Sequence, residues 1–479
     1  MSFRFSTRIV LLALAAFSSA ALFGARARAE DPPAAASGQV SFHRQVRTIF
    51  QEKCQGCHQP AKAQGGLVMT SYEALVKGGE SELPGIVPGN PDESTIVEQI
   101  TSFDGAAPAM PKDQPPLTAE EVELVRRWIA EGAIDDTPMA ERTVIDMQHP
   151  PLYAAQPVLT SLDFSPDGTL LAVSGYHEVL LHSADGGQIV ARLVGLSERI
   201  ESARFSPDGT LLAVTGGSPG RFGEVQIWDV ASRTLKLSLP VTYDTLYGAS
   251  WSPDGTKIAF GCGDNTLRAI NVETGEQVLY QGAHSDWVLD TVFSTDGSHL
   301  VSVSRDRSMK LTEVATQQFI DNSSSITPGA LKGGLISVDR HPAADQLLIG
   351  GADGVPKTYK MYREQARQIG DDFNKLMEFA PLPGRIYSGE FNFDGSRIVV
   401  GSSNDGQGEV RVYQTSDAAL VSRAEGQLGP VYAVSFTPDG TRFAAAGFDG
   451  MVRIFQADTG ALLTQFSGVP VVSNEVAMP

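Results

Sequence analysis

Cysteine is scarce in this chain, with three among 479 residues, at positions 54, 57 and 262. Exported domains that depend on disulfides usually carry more cysteines, and carry them in even numbers. Two of the three lie close together here and the third is alone. The sequence therefore excludes a disulfide framework as the source of stability.

Basic residues are outnumbered, because 37 lysines and arginines stand against 56 aspartates and glutamates, for a net charge of −19. An acidic surface repels the phosphates of nucleic acids and the head groups of anionic lipids. We therefore expect no nucleic-acid partner. An alternative explanation of the acidic excess is solubility alone, because a net charge keeps a protein soluble without any specific partner.

Long apolar runs are lacking except near the start. Arg4 and Arg8 precede an apolar stretch from Ile9 to Phe23, and an Ala-Arg-Ala sequence follows at 27–29. This order is typical of a secretory signal peptide, and the stretch is short for a membrane span. We expect residues 1–29 to be cleaved, which leaves a periplasmic or otherwise exported protein with no membrane span. An uncleaved anchor is the alternative.

The chain is instead rich in repeats. The phrase FSPDGTLLAV occurs twice, and five variants follow it, of which RHPAADQLLI is the most degraded. The turn aspartates of successive copies are 41 to 49 residues apart. The seven copies lie at 164–173, 205–214, 251–260, 293–302, 340–349, 391–400 and 436–445.

Each repeat has the pattern of four short strands. Apolar residues alternate on both sides of a Pro-Asp-Gly turn, and two further strands follow, separated by Gly- and Asp-containing turns. Four strands in about 40–45 residues is the pattern of a β-propeller blade. The sequence therefore predicts an all-β, seven-bladed β-propeller over residues 158–479.

The repeats resemble the WD-repeat family. Trp228-Asp229 is an intact WD pair, and Ala283-His284 stands where the family has Gly-His. The resemblance implies that His284 and Asp306 form a hydrogen-bonded relay that stabilises a blade. Cys262 lies on a predicted second strand, where we expect a buried, structural thiol.

A smaller unit precedes the repeats. Ser41 can cap a helix that carries apolar residues at i, i+4, i+7 and i+8 from Phe42, and Thr118 with Glu121 forms a capping box for a last helix. We expect a small all-α domain over residues 40–135. It follows a linker at 30–39, and a second linker at 136–157 joins it to the propeller.

The sequence Cys54-Gln55-Gly56-Cys57-His58 is the attachment motif of c-type haem. Two thiols at this spacing reach the two vinyl groups of the porphyrin, and the histidine becomes the proximal iron ligand. A thioredoxin-like redox site would need a βαβ context, and a zinc site would need two more ligands nearby. The motif therefore predicts one covalent haem c, with thioethers at Cys54 and Cys57 and iron bound by His58.

Met110 is the expected distal ligand of that iron. It lies in the proline-rich segment Pro108-Ala109-Met110-Pro111, which can hold a thioether over the open face of the haem. Met69 is the alternative, although its apolar neighbours favour a place in the domain core. Ligation by histidine and methionine fills both axial positions and suits electron transfer.

The same region resembles the planctomycete-type cytochrome c domain. The resemblance covers about residues 42–134 and implies a fold like that of class I cytochromes c. It also implies haem thioethers at Cys54 and Cys57 with axial His58 and Met110. It rests on these segments: CQGCH at 54–58, GGL at 65–67, GGES at 78–81, IVPG at 86–89, MP at 110–111, LT at 117–118, WI at 128–129 and GA at 132–133.

These patterns together predict a periplasmic electron carrier, with the propeller as the platform on which a redox protein partner docks. A first alternative is an oxidoreductase with a substrate or second cofactor in the propeller, where His177 or His182 would bind a second haem. A second alternative is a scaffold whose haem only senses redox state. No catalytic residues are defined by the sequence, so we expect a carrier rather than an enzyme.

Overall fold

The computed structural model describes residues 38–54, 58, 64–69, 72–81, 83–112, 115–137, 145, 147, 149–325, 332–368, 370–426 and 428–472. Two sequence-based predictions fall outside these residues. They are the signal peptide at 1–29 and the position of Cys57, and the predicted linkers at 30–39 and 136–157 lie partly outside these residues as well.

The first part of the described chain is helical. A π-helical turn at Phe42–Val46 leads into the first α-helix, and short 3₁₀ turns lie at Gln64–Gly66 and Pro91–Glu93. The α-helices are α1 (Arg47–Lys53), α2 (Tyr72–Lys77), α3 (Thr95–Ile100) and α4 (Ala119–Ala130).

The predicted caps begin the π-helical turn that leads into α1 and the last helix, α4. The Ser41 hydroxyl accepts a hydrogen bond of 3.0 Å from the Arg44 main-chain N–H. At α4, Thr118 and Glu121 each bond the other's main-chain N–H, at 3.2 and 2.7 Å. Each bond satisfies an N–H that has no partner inside the helix, so the capping residues determine where the helices start.

Apolar side chains of these helices share one core. Phe42 stacks on Trp128 with ring centroids 5.0 Å apart, and Phe50 meets the same indole edge-on at 6.5 Å. The Trp128 indole N–H donates to the Ile134 carbonyl at 3.0 Å. The periodic apolar positions predicted from the sequence, including Val46, are therefore the buried ones.

The rest of the described chain is mostly β-structure. Its strands are β1 (Leu162–Phe164), β2 (Leu170–Ser174), β3 (Tyr176–Ser183), β4 (Ile189–Phe205), β5 (Leu211–Ser218), β6 (Phe222–Asp229), β7 (Thr234–Thr242), β8 (Leu246–Trp251), β9 (Lys257–Cys262), β10 (Leu267–Asn271), β11 (Gln277–Gln281), β12 (Val288–Phe293), β13 (His299–Ser304) and β14 (Met309–Glu313). They continue with β15 (Phe319–Asn322), β16 (Leu335–Arg340), β17 (Gln346–Gly351), β18 (Lys357–Lys360), β19 (Lys375–Glu378), β20 (Arg385–Phe391), β21 (Arg397–Asn404), β22 (Gln407–Gln414), β23 (Leu420–Arg423), β24 (Val431–Phe436), β25 (Arg442–Gly447), β26 (Met451–Gln456) and β27 (Leu462–Ser467).

These strands form six antiparallel sheets. The first contains β1 to β7 in chain order, and each of the other five contains four consecutive strands. The long strand β4 pairs with β3 through its first half and with β5 through its second half. This arrangement, mostly β with six sheets, fits a chain of WD repeats.

The repeated turn is built from its own side chains. The Asp167 carboxylate accepts hydrogen bonds from the Ser165 hydroxyl at 2.6 Å and from the Thr169 N–H at 3.0 Å. Gly168 follows with a φ of 70°, a conformation that glycine adopts without strain. The Ser-Pro-Asp-Gly-Thr phrase recurs because these residues supply the hydrogen bonds and the backbone conformations that the turn requires.

The first strands of successive repeats lie side by side in a closed ring. Strands β1, β4, β8, β12, β16, β20 and β24 are neighbours in that order, and β24 returns to β1. Where the ring closes, the Leu159 N–H donates to the Gly447 carbonyl at 2.9 Å, and Tyr153 forms a parallel bridge with Val471. The innermost strands therefore surround a central channel.

Candidate interaction site

The predicted attachment motif begins where α1 ends. Cys54 is half-buried, and its main-chain N–H donates to the Phe50 carbonyl at 3.0 Å. His58 is buried, and its carbonyl accepts a 2.8 Å hydrogen bond from the Met69 N–H. Cys57 lies outside the described residues, so the described structure does not contain the complete motif.

The two candidate methionines both pack on the helical core. Met69 is buried within it, and Met110 is half-buried against it, with its N–H bonded to the Gln99 carbonyl at 2.9 Å. The core position of Met69 agrees with the role that its apolar neighbours predict. Within the described part of the chain, no group of three or more His, Cys, Asp or Glu side chains is arranged to hold a metal ion.

Two predictions within the repeats are confirmed. His284 contacts Asp306 Oδ2 through Nδ1 at 2.9 Å and the Ser302 hydroxyl through Nε2 at 2.8 Å, so the relay is present. Cys262 is fully buried, and burial raises the pKa of its thiol to about 12. His182 contacts the Gly468 carbonyl at 3.0 Å, which places it in the contact between the first and last sheets.

One end of the channel opens into a wide pocket that sequence reasoning missed. In six of the inner strands, the pairing with the second strand of the blade skips one residue at about the same level along the channel. Such a β-bulge changes the direction in which a side chain points. The residues skipped by the register are Glu201, Gly248, Leu289, Ile336, Tyr387 and Tyr432. All of them line a cavity of about 920 Å³, which we call the entrance pocket.

Aromatic side chains occur in two pairs around the entrance pocket. Tyr247 and Trp287 stack with centroids 5.7 Å apart, and the Arg305 guanidinium lies 4.6 Å from the Trp287 ring centre. Tyr387 and Tyr432 meet edge-on at 4.9 Å. Aromatic side chains give large contact areas while losing little conformational freedom, so such pairs suit binding of another molecule.

The entrance pocket also carries charges of both signs. Glu201 lies in its wall, and burial raises the pKa of that carboxyl although Arg199 is nearby. Asp286 and Arg305 face each other with Oδ2 and Nε 3.6 Å apart, and Arg385 adds a second cation. A few polar groups among aromatic walls fix the orientation of a bound ligand.

A weak signal for this pocket exists in the sequence. When the repeats are aligned on their turns, the residue four places before the last residue of each inner strand forms a column. That column is Thr160, Glu201, Tyr247, Leu289, Ile336, Tyr387 and Tyr432. Three tyrosines and a glutamate in one column of apolar strands mark a surface that is not simply core.

Two family models match parts of the chain. The model described as WD domain, G-beta repeat matches residues 275–312 and 420–456. The model described as Planctomycete cytochrome C matches residues 54–114. The repeat matches and the ring of sheets support a propeller of WD repeats.

Several curated WD-repeat proteins match the chain at low identity. The Eukaryotic translation initiation factor 3 subunit I of Eremothecium gossypii is 24% identical over 44% of this chain and 47% of its own length. The protein of that name from Danio rerio is 22% identical over 46% of this chain and 54% of its own. Periodic tryptophan protein 2 of Arabidopsis thaliana is 23% identical over 52% of this chain and 26% of its own. The chain thus spans about half the length of the first of these relatives.

These relatives correct two expectations drawn from the haem motif and one drawn from the N-terminal apolar segment. Proteins named for translation initiation are not periplasmic electron carriers, so the expected function is wrong. The expectation of one covalent haem c is wrong for the same reason, and with it the iron and electron-transfer roles. The expected periplasmic or exported location is also wrong.

The expectation of a protein partner on the propeller fits these relatives, without the redox specificity that we attached to it. None of the helices in the described ranges is long and apolar enough to cross a membrane.

Proposed function

We propose that this protein is an interaction scaffold, in which a seven-bladed propeller holds a segment of a partner protein in the entrance pocket. The observation that carries the proposal is the ring of bulged residues. Bulged residues from six different strands line one cavity, five of them with side chains and the sixth being Gly248, and two aromatic pairs and mixed charges also line it.

Seven blades account for the six sheets. Strand β4 is 17 residues long, about twice the length of its neighbours, and it pairs with a different strand along each half. If it serves as the last strand of one blade and the first of the next, the seven-stranded sheet is two four-stranded blades. The other five sheets then supply the remaining blades, in agreement with seven copies of the repeat.

We further propose two folded units, a small helical domain over residues 40–135 and the propeller over residues 158–479. The helical core contains only side chains between Val40 and Ala133, which supports a separate unit. Residues 149–157 contact the propeller through Tyr153 and Gln156. The propeller would then begin its contacts before residue 158.

The size and chemistry of the entrance pocket favour a peptide segment as its occupant. Pockets of about 300–1,000 Å³ hold ligands the size of a few residues. Aromatic side chains at the centre of an interface supply much of its binding energy. The names of the first relatives describe subunits of a larger factor, which supports a role in assembly with other proteins.

Photo-crosslinking tests the proposal. A photoreactive phenylalanine in place of Tyr387 should capture one or a few proteins in the native cell extract. The matched control carries it in place of Tyr280, which is half exposed on the outer strand β11. Capture should also weaken when Tyr247→Ala is added to the pocket probe. Equal capture from both positions, or none from the pocket, would rule out the entrance pocket as the interaction site.

A further inference from the structure

The opposite end of the channel is narrow and acidic. The next-to-last position of an inner strand is charged in four of the seven strands: Asp163 in β1, Arg204 in β4, Asp339 in β16 and Glu390 in β20. Asp290, within β12, lies beside them. All five line a cavity of about 370 Å³, which we call the narrow end. It meets the entrance pocket at Arg204, Asp290 and Gly389, which line both cavities.

The acids of the narrow end join neighbouring inner strands. Asp163 Oδ2 accepts from the Phe205 N–H at 2.7 Å, and Asp339 Oδ2 accepts from the Phe391 N–H at the same distance. Asp290 Oδ2 accepts from the Val338 N–H at 2.9 Å. Each carboxylate therefore has one oxygen committed to the next strand of the ring.

Glu390 differs from the aspartates in the hydrogen bonding of its second carboxylate oxygen. Its Oε1 accepts from the Phe436 N–H at 3.1 Å, in the same manner as the aspartates. Its Oε2 is buried and has no hydrogen-bond partner within the described chain. A buried carboxylate oxygen without a partner is costly, so a donor that reached it would be bound favourably.

The negative charge at the narrow end exceeds the positive charge. Four carboxylates face two guanidinium groups, those of Arg204 and Arg340. Arg204 bonds Asp163 at 3.1 Å, whereas Arg340 donates to the carbonyls of Phe293 and His341, both at 2.8 Å. When all four carboxyls are ionised, two of their negative charges remain uncompensated by side chains of the cavity.

The rim of the narrow end is apolar. Phe393 is 60% exposed and takes the turn position where five other repeats have proline. Trp251, Pro342 and Pro438 also line this cavity. An aromatic rim over an acidic floor matches a side chain with an apolar stem and a cationic head.

We propose that the narrow end binds a single arginine or lysine side chain from a partner protein, with its cationic head among the channel carboxylates. This site is distinct from the entrance pocket and does not depend on the function proposed for it. The occupant follows from the excess negative charge, the unpartnered Glu390 oxygen and the aromatic rim.

The ionisation of the channel acids makes the site sensitive to pH. Burial raises the pKa of Asp290 to about 7 and that of Glu390 to about 8, although Arg204 opposes the shift in both. Burial raises the pKa of Asp163 and Asp339 as well. An arginine ligand stays charged throughout, so its binding should strengthen as the pH rises and these acids ionise.

A peptide array with the full chain tests the proposal. The probes are nine-residue peptides with arginine, lysine, citrulline or norleucine fixed at the centre and random residues elsewhere. We expect binding to the arginine and lysine sets, and about a tenfold loss when citrulline replaces arginine in a selected peptide. Affinity should be about tenfold higher at pH 8.5 than at pH 6. Equal binding of citrulline, or no binding in any set, would overturn the proposal.

Matched variants locate the bound peptide. Glu390→Gln keeps an acceptor for the Phe436 N–H and should weaken binding about tenfold, whereas Glu201→Gln in the entrance pocket should leave it unchanged. Phe393→Pro installs the residue found at this turn in other repeats, so it should fold and should also weaken binding. The reverse result would place the peptide in the entrance pocket. Stabilisation of wild type by calcium or magnesium alone, lost in Glu390→Gln, would assign the narrow end to a metal ion; both results overturn the proposal.

Discussion

The Tyr153 hydroxyl donates a 2.7 Å hydrogen bond to Glu178 Oε1, a carboxylate buried within the first sheet. The same carboxylate receives both Nε and Nη2 of Arg192, at 2.7 and 2.6 Å. Tyr153 also pairs with Val471 near the end of the described chain. One tyrosine therefore ties the segment that enters the propeller to its first and last sheets.

Removing this hydroxyl should weaken the propeller. Tyr153→Phe keeps the ring but leaves Glu178 with one donor fewer, so we expect a loss of about 1–3 kcal/mol in the free energy of unfolding. Urea unfolding followed by tryptophan fluorescence measures it. Tyr176→Phe, at an exposed neighbouring tyrosine, is the control and should change little. Equal effects of the two changes would refute the role given to Tyr153.

Stability should fall as the pH rises through the neutral range. Burial raises the pKa of Asp290 to about 7 and of Glu390 to about 8, so the folded state holds protons that the unfolded chain releases near pH 4. The stabilisation from these protons is complete below about pH 4 and is lost as the pH rises to about 8. The other charges in this cavity belong to Asp163, Arg204, Asp339 and Arg340.

Glu390→Gln tests this pH dependence. Glutamine needs no proton to remain neutral, so the variant should exceed wild type by about 1–3 kcal/mol at pH 8.5 and match it near pH 4. Melting temperatures over that range are the measurement, and Glu313→Gln, on the outer part of a sheet, is the control. A constant difference across the range would contradict the assignment.

The turn aspartates should act in the opposite direction, at acid pH. Hydrogen bonds from Ser252 and Thr256 lower the pKa of Asp254 to about 2. Its contribution is present above about pH 4 and is lost as the pH falls toward 2. Asp254→Asn should cost about 1 kcal/mol at pH 7 and reduce the acid dependence. Melting curves at pH 7 and pH 3 measure both effects, and a variant as acid-sensitive as wild type would refute the idea.

Cys262 should resist alkylation in the native protein. It is fully buried in β9, and burial raises the pKa of its thiol to about 12, so little thiolate forms at pH 8. Iodoacetamide followed by peptide mass spectrometry should find it unmodified until urea unfolds the propeller. Rapid labelling in native buffer would show that the strand opens readily.

Some of the structure could be derived from local sequence. The Ser41 and Thr118 caps are in place because a cap depends only on residues three positions away. The Asp-Gly turns recur for the same reason, and the His284–Asp306 relay lies where the WD resemblance implied. The attachment motif, by contrast, led to a function that the relatives overturned.

The repeats, their turns, the apolar faces of the helices and the burial of Cys262 can all be derived from the amino-acid sequence, because each follows from spacing along a few residues. Which residues face the channel depends instead on how the repeats close into a ring. Glu201 and Tyr387 are turned into the entrance pocket by bulges, and Asp163 and Glu390 meet Arg204 from strands far apart in the chain. The physical reason is that closure of the ring places equivalent positions of different repeats next to one another. Contacts between residues so far apart in the chain cannot be derived from a local sequence pattern.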